Sequence, residues 1–284
     1  MDSARLRRET LERHLLELGI NDRYLRFPAI CPGQGQSLRG LDSLGELGIW
    51  QSTLQLLLKI STEDGPPVVN IIEDDFRFGK DSPYFLDHVA GEMISGSCME
   101  QDIIFLDYFI DKELVKLQLD CYHGSFPLDR SSSPLRLDGK SYLACLSSYF
   151  LRRSFAHKLL YLLLNVYTQS SKLPPIDLVI RQLIGMELVG ANLVMPPLGC
   201  PDWIQDSQST VQVMSKQEDE RAGLRISQRI YLLLRIGCSG MESPSWCCKQ
   251  IRSILGLPSS ADSNESLESL LALFLEVKPV LARF

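Results

Sequence analysis

The chain has 284 residues, 45% of them hydrophobic, enough to bury a sizeable core in one large domain or two smaller ones. Its formal net charge of -6 argues against non-specific nucleic-acid binding, which needs clustered Lys and Arg to displace phosphate counterions. Its eight cysteines include no CxxC pair and no histidine at zinc spacing, so a structural zinc site is not expected and reduced, mostly buried thiols are.

The first predicted element is an amphipathic helix over 4–18, where Leu11, Leu15 and Leu18 recur at helical spacing among Arg and Glu and Gly19 follows as a stop. The N-terminus is charged from its first residues and carries no apolar signal segment. The longest apolar stretch, Lys158 to Tyr167, is far short of the roughly 20 residues that span a bilayer. A cytoplasmic protein is therefore expected, with room for peripheral contact at a membrane surface. "RYLRFPAI" reads as an extended segment interrupted by Pro28, and the Gly- and Gln-rich "CPGQGQSLRG" as a loop. A second helix is predicted in "SLGELGIWQSTLQLLLKIS", with Leu54, Leu57, Leu58 and Ile60 on its apolar face and "DGPP" breaking it.

"VVNII", bounded by a turn before and charges after, has the pattern of a buried central strand. "SPYFLDHVAGEMI" reads as a helix and "DIIFLDYF", Asp102 to Phe109, as another buried strand. A polar linker around "DRSSSPLRLDGK" precedes "YLACLSSYFL", a strand running into the helix "RRSFAHKLLYLLLNVY". "PPIDLVIRQLI" is a short helix with Pro175 near its start, and "ELVGANLVMPPL" a strand with an extended exit. Beyond it, "RISQRIYLLLRI" and "SLESLLALFLEV" read as helices on either side of the Ser-rich "PSSADSNES". Strands alternating with helices predict an α/β fold with a mostly parallel sheet covered on both faces. Ligands in such folds sit outside the carboxyl ends of the strands, which is where Glu73, Asp74 and Asp75 fall after "VVNII".

Three adjacent acids repel one another, and any that are partly buried also lose hydration, so they need a partner to stay ionised. A divalent cation would serve, and oxygen-only ligands select a hard one such as Mg²⁺ or Mn²⁺. The alternative is an exposed turn whose acids are simply solvated. "LGELGIWQSTLQLLLKI" followed after a turn by "VVNIIEDDFRF" resembles glycosyltransferase family 25, the lipopolysaccharide sugar transferases related to collagen galactosyltransferase domains. The likeness lies in Gly45, Glu46, Gly48 and Ser52 at the helix start and in Glu73, Asp74 and Asp75 after the strand. "RRETLERHLLELGI", "RFPAI", "DIIFLDYF", "SYFLRRSFAHKLL", "PPIDLVIRQLI" and "VMPPLGCPDWIQDSQST" are similar to further family segments in the same order, over roughly residues 2–210. The chain departs from the pattern in two places: Ile49 and Thr53 stand where the family has Cys and His, and Met1 stands where its first strand would end.

The resemblance implies a GT-A-like domain over 1–213, and the residues beyond it, 214–284, read from their own periodicity as a helical extension. It implies transfer of a hexose, galactose being the first candidate, from a nucleotide-diphosphate donor such as a UDP-hexose to a glycan or glycolipid acceptor. Glu73 and Asp75 would hold the Mn²⁺ or Mg²⁺. Gly45, Glu46, Ser52, Asp74 and Arg153 would bind substrate, and Asp177 would take the acceptor proton as general base. As a helix-terminal acid, Asp177 has the alternative role of answering the macrodipole. A second functional reading is a relative that keeps the fold for binding without turnover. A metal-dependent phosphoryl-transfer enzyme or hydrolase is a third, although "PGQGQSLRG" matches no phosphate-cradling loop. His14, His88, His123 and His157 share no ligand spacing, Trp50 and Trp203 read as core aromatics that could also stack on a sugar, and no nucleic-acid partner is expected.

Overall fold

A computed structural model describes residues 2–96, 101–109, 134–195, 197–201 and 243–254. Among them are helices α1 (Asp2–Glu17), α2 (Leu44–Thr62), α3 (Ser82–Ser95), α4 (Arg153–Gln169), α5 (Ile176–Gly185) and α6 (Pro244–Ile254). The strands are β1 (Val68–Ile72), β2 (Phe76–Phe78), β3 (Ile103–Phe105), β4 (Leu135–Asp138), β5 (Ser148–Arg152), β6 (Ala191–Met195) and β7 (Gly199–Pro201). Single 3-10 turns lie at Asn21–Arg23 and Gly139–Ser141.

Local chemistry sets the helix ends. Ser43 Oγ accepts the Glu46 N–H at 3.2 Å, and Glu46 Oε2 reaches back to the Asp42 N–H at 2.8 Å, so α2 starts on a reciprocal cap. Gly19 follows α1 with φ +69, the left-handed conformation in which helices commonly stop. α5 opens directly after Pro175, as the sequence suggests.

The main sheet has the order β1-β5-β3-β6-β4, and β2 pairs with β7 in a separate two-stranded ribbon. Sheet faces alternate residue by residue, and each face has its own core. Ile103, Phe105, Tyr149, Leu151 and Leu193 pack against α2, α4 and α5, with Trp50, Leu159 and Ile180 among the buried partners. Val68, Ile104, Phe150 and Val194 pack on the other side against Leu15 of α1, the β2 phenylalanines and Phe85, Val89 and Met93 of α3. Among the described residues no helix is long and apolar enough to cross a membrane.

The α/β class is as expected, but the expectation of a mostly parallel sheet is corrected. β1, β3 and β6 run in one direction, while β5 lies antiparallel between β1 and β3 and β4 lies antiparallel on the far edge, so among the described strands β3 with β6 is the one parallel pair. Alternation of strands with helices reports direction only where a helix makes the return. β5 instead enters from the irregular segment after Gly139–Ser141. β1 is also at a sheet edge rather than central, with Val69 to Ile72 only partly buried. Its apolar sequence reflects helices on both faces, which demand aliphatic side chains even in an edge strand. The 214–284 extension lies largely outside the described residues, including "RISQRIYLLLRI", "SLESLLALFLEV" and the boundary at 213/214. Its described part, α6, sends Cys247 into the α2–α4–α5 core.

Candidate functional site

Because β1, β3 and β6 share a direction, their carboxyl ends meet at one edge, and antiparallel β5 begins there. Glu73 N–H donates to Ser147 O at 2.8 Å, extending the β1–β5 ladder by one pair and fixing the first acid opposite Ser147. Leu106 N–H donates to Ser148 O at 3.0 Å, which delivers Asp107 to the same edge. Asp107 is fully buried; it accepts the Ser147 hydroxyl proton and, at 3.2 Å, the Cys145 thiol.

Cys145 joins these groups to α5. With φ +90 it adopts a backbone conformation that residues bearing a side chain rarely take. Its N–H points to Asp177 Oδ2 at 3.5 Å, and its carbonyl accepts the Tyr142 hydroxyl at 2.9 Å. Asp177 Oδ1 accepts the Leu178 N–H at 2.9 Å in the first turn of α5. Asp177 thus answers its helix terminus and also faces the carboxylate edge.

Charge accumulates here. Burial, then the charges of Asp75, Asp74 and Asp177, push the Glu73 carboxyl up to about 8, with Arg7 opposing. Asp177 is raised by burial, which the N–H groups of Leu178 and Cys145 partly offset. Burial pushes the Cys145 thiol up to about 12; hydrogen bonds from Ser147 oppose this, and Glu73 and Asp75 add to it. Glu46 is raised chiefly by burial, with the charges of Asp42 and Asp177 adding to the rise. Asp74 is exposed and pairs with Arg7 of α1 at 3.3 Å.

The structure therefore places Glu73, Asp74 and Asp75 at the end of β1 and links Asp177 to that end through the turn at Cys145, while Gly45 and Glu46 lie in the first turn of α2. Ser52 and Arg153 are engaged with backbone groups. Ser52 Oγ accepts the Ile30 N–H at 2.8 Å, and Gly48 lets the same segment close in, since a Cβ there would lie 2.8 Å from Ile30 O. Arg153 sits at the opposite end of β1, where its guanidinium donates to the carbonyls of Pro66 at 2.7 Å, Glu63 at 2.6 Å and Ile60 at 2.5 Å. Trp50 is a core residue, its Nε1–H donating to Pro174 O at 2.9 Å. His14 accepts the Phe78 N–H at 3.0 Å and His88 pairs with Glu92, while His123 and Trp203 lie outside the described residues.

Asp107, Ser147 and Cys145 are the site residues that the sequence reading missed. Asp107 carried a usable signal, since "IIFLD" ends an aliphatic strand in an acid just as "VVNIIED" does. The left-handed turn at Cys145 carried none, because cysteine is not a residue that marks positive φ.

In its chemistry the donor set fits a hard divalent cation: carboxylate oxygens, with Glu73 in surroundings that a positive charge would relieve. Among the described residues no three Asp, Glu, His or Cys side chains are grouped closely enough to hold a metal by themselves. A cation here would take one or two carboxylates and complete its shell with water and ligand oxygens, as Mg²⁺ commonly does. No protein-family model, curated protein or solved structure matches the chain.

Proposed function

We propose that the chain is a divergent, GT-A-like relative of glycosyltransferase family 25. It would transfer a hexose, with galactose the first candidate, from a nucleotide-diphosphate donor to a glycan or glycolipid acceptor at the cytoplasmic face of a membrane. The observation that carries this reading is that one turn, 145–147, accepts the Glu73 N–H at Ser147 and directs the Cys145 N–H to Asp177, at the end of the sheet where three like-directed strands finish. Arg7 answers the outer acid, Asp74, and a divalent cation would relieve the buried Glu73, whose ionised form its neighbouring carboxylates disfavour.

Glu73 and Asp75 would hold the Mn²⁺ or Mg²⁺, which when bound supplies a Lewis acid for the departing diphosphate. Asp177 would take the acceptor hydroxyl proton, a role supported by burial that raises its basicity and by two backbone N–H groups that hold its orientation. Asp107, through Ser147 and Cys145, holds the turn that carries the Cys145 N–H against Asp177.

A second reading, donor binding without turnover, is favoured by one observation. Ser52, Gly48 and Arg153, three residues of the resemblance, are engaged with backbone in packing and capping. Release of UDP from a panel of UDP-hexoses incubated with a panel of glycan and glycolipid acceptors, with and without Mn²⁺, separates the two. The transferase reading expects Mn²⁺-dependent release that Asp177→Asn lowers by about 100-fold or more, in the range for losing a general base. Tight UDP binding with no release from any donor would leave the binding reading.

A further inference from the structure

α1 carries four arginines, and three of them form ion pairs of two different kinds. Arg5 and Arg8 pair along the helix with Glu9 and Glu12 one turn on, at 2.7 Å and 3.7 Å, as solvated surface pairs do. Arg7 instead reaches 67 residues along the chain to Asp74 Oδ2 at 3.3 Å, and only 20% of its side chain is exposed. It begins the face of α1 that continues through Leu11, His14 and Leu15, which are fixed by the aromatic core and by the backbone of Phe78. The helix therefore has little freedom to place Arg7 elsewhere.

We propose that Arg7 is the protein's own counter-ion for the acidic edge and becomes a ligand of the donor diphosphate once a cation takes its place there. The inference rests on the functional reading above and adds to it a residue outside the acidic motif. An arriving divalent cation makes the guanidinium redundant as a neutraliser and repels it. The diphosphate that comes with the cation offers oxygens in the planar geometry that a guanidinium fork matches and an ammonium does not. Asp74, the exposed acid of the three, is the group that exchanges Arg7 for solvent.

The test is calorimetric titration of the full chain with MnCl₂ alone, and with UDP in saturating MnCl₂, for wild type, Arg7→Ala, Arg7→Lys and Arg5→Ala. Removing a competing partly exposed charge should tighten binding of Mn²⁺ alone about threefold in Arg7→Ala. Loss of a charge-assisted contact should weaken UDP binding about tenfold in the same variant. Arg7→Lys, which keeps the charge and loses the fork, should weaken UDP binding and leave Mn²⁺ binding near wild type. Arg5→Ala should match wild type in both. Wild-type binding of Mn²⁺ and UDP that neither Arg7 variant alters would overturn the assignment of Arg7 alone. Absence of any wild-type response to Mn²⁺ and UDP would overturn the functional reading, and the proposal with it.

Discussion

Glu73 carries a carboxyl that burial and neighbouring acids push up to about 8, well above its value in the unfolded chain. Between the ordinary Glu range and about 8 the folded state keeps a proton that the unfolded state has released. Stability therefore falls as pH rises through this window, by at most about 1.4 kcal/mol per pH unit for one proton. Melting temperature measured from pH 5 to pH 9 should decline over that window in the wild type and decline less in Glu73→Gln. Equal slopes would show that Glu73 does not titrate there. Cys145 makes a second residue-scale prediction. At φ +90 an alanine keeps the backbone strain while losing the thiol contact to Asp107, whereas glycine loses the contact and relieves the strain. Cys145→Gly should therefore be more stable than Cys145→Ala to urea unfolding, by about 1 kcal/mol. The reverse order would mean that the left-handed turn carries no strain.

At the scale of elements, α2 bears on the site through its first turn. Ser43→Ala should cost about 1 kcal/mol in chemical unfolding, the usual loss for a helix cap, because it leaves the Glu46 N–H without its acceptor. Gly48→Ala should cost about 1–3 kcal/mol, since the new methyl meets the Ile30 carbonyl and must move the segment that Ser52 tethers. The helices α1 to α5 were legible in the sequence because each has an apolar face at helical spacing and a cap or breaker at its ends. β2, β4 and β7 were not, because strands of three or four residues are too short to show alternation. β4, "LRLD", also carries charge and is exposed at both ends, so it read as part of a polar linker. The direction of β5 was hidden for a different reason: the described residues just before it, 142–147, are irregular and give no helical return to read.

At the scale of the molecule, the site is an edge where residues from 73–75, 107, 145–147 and 177 meet. The rule that ligands sit beyond strand ends located the first of these from sequence. The resemblance supplied Asp177, but the joining pieces depended on the antiparallel placement of β5, which local patterns do not encode. The same placement explains why Arg153, read as a substrate ligand, lies at the far end of β1: it follows β5 directly, and β5 starts at the acidic edge and runs away from it. The central claim is that this edge binds a divalent cation together with a nucleotide diphosphate. It is tested most directly by calorimetric titration of UDP into the full chain, with and without Mn²⁺, in the wild type and in Asp75→Asn. The account predicts saturable one-site binding that requires Mn²⁺ and weakens at least about tenfold in Asp75→Asn. Binding that ignores both Mn²⁺ and the substitution, or no binding at all, would contradict it.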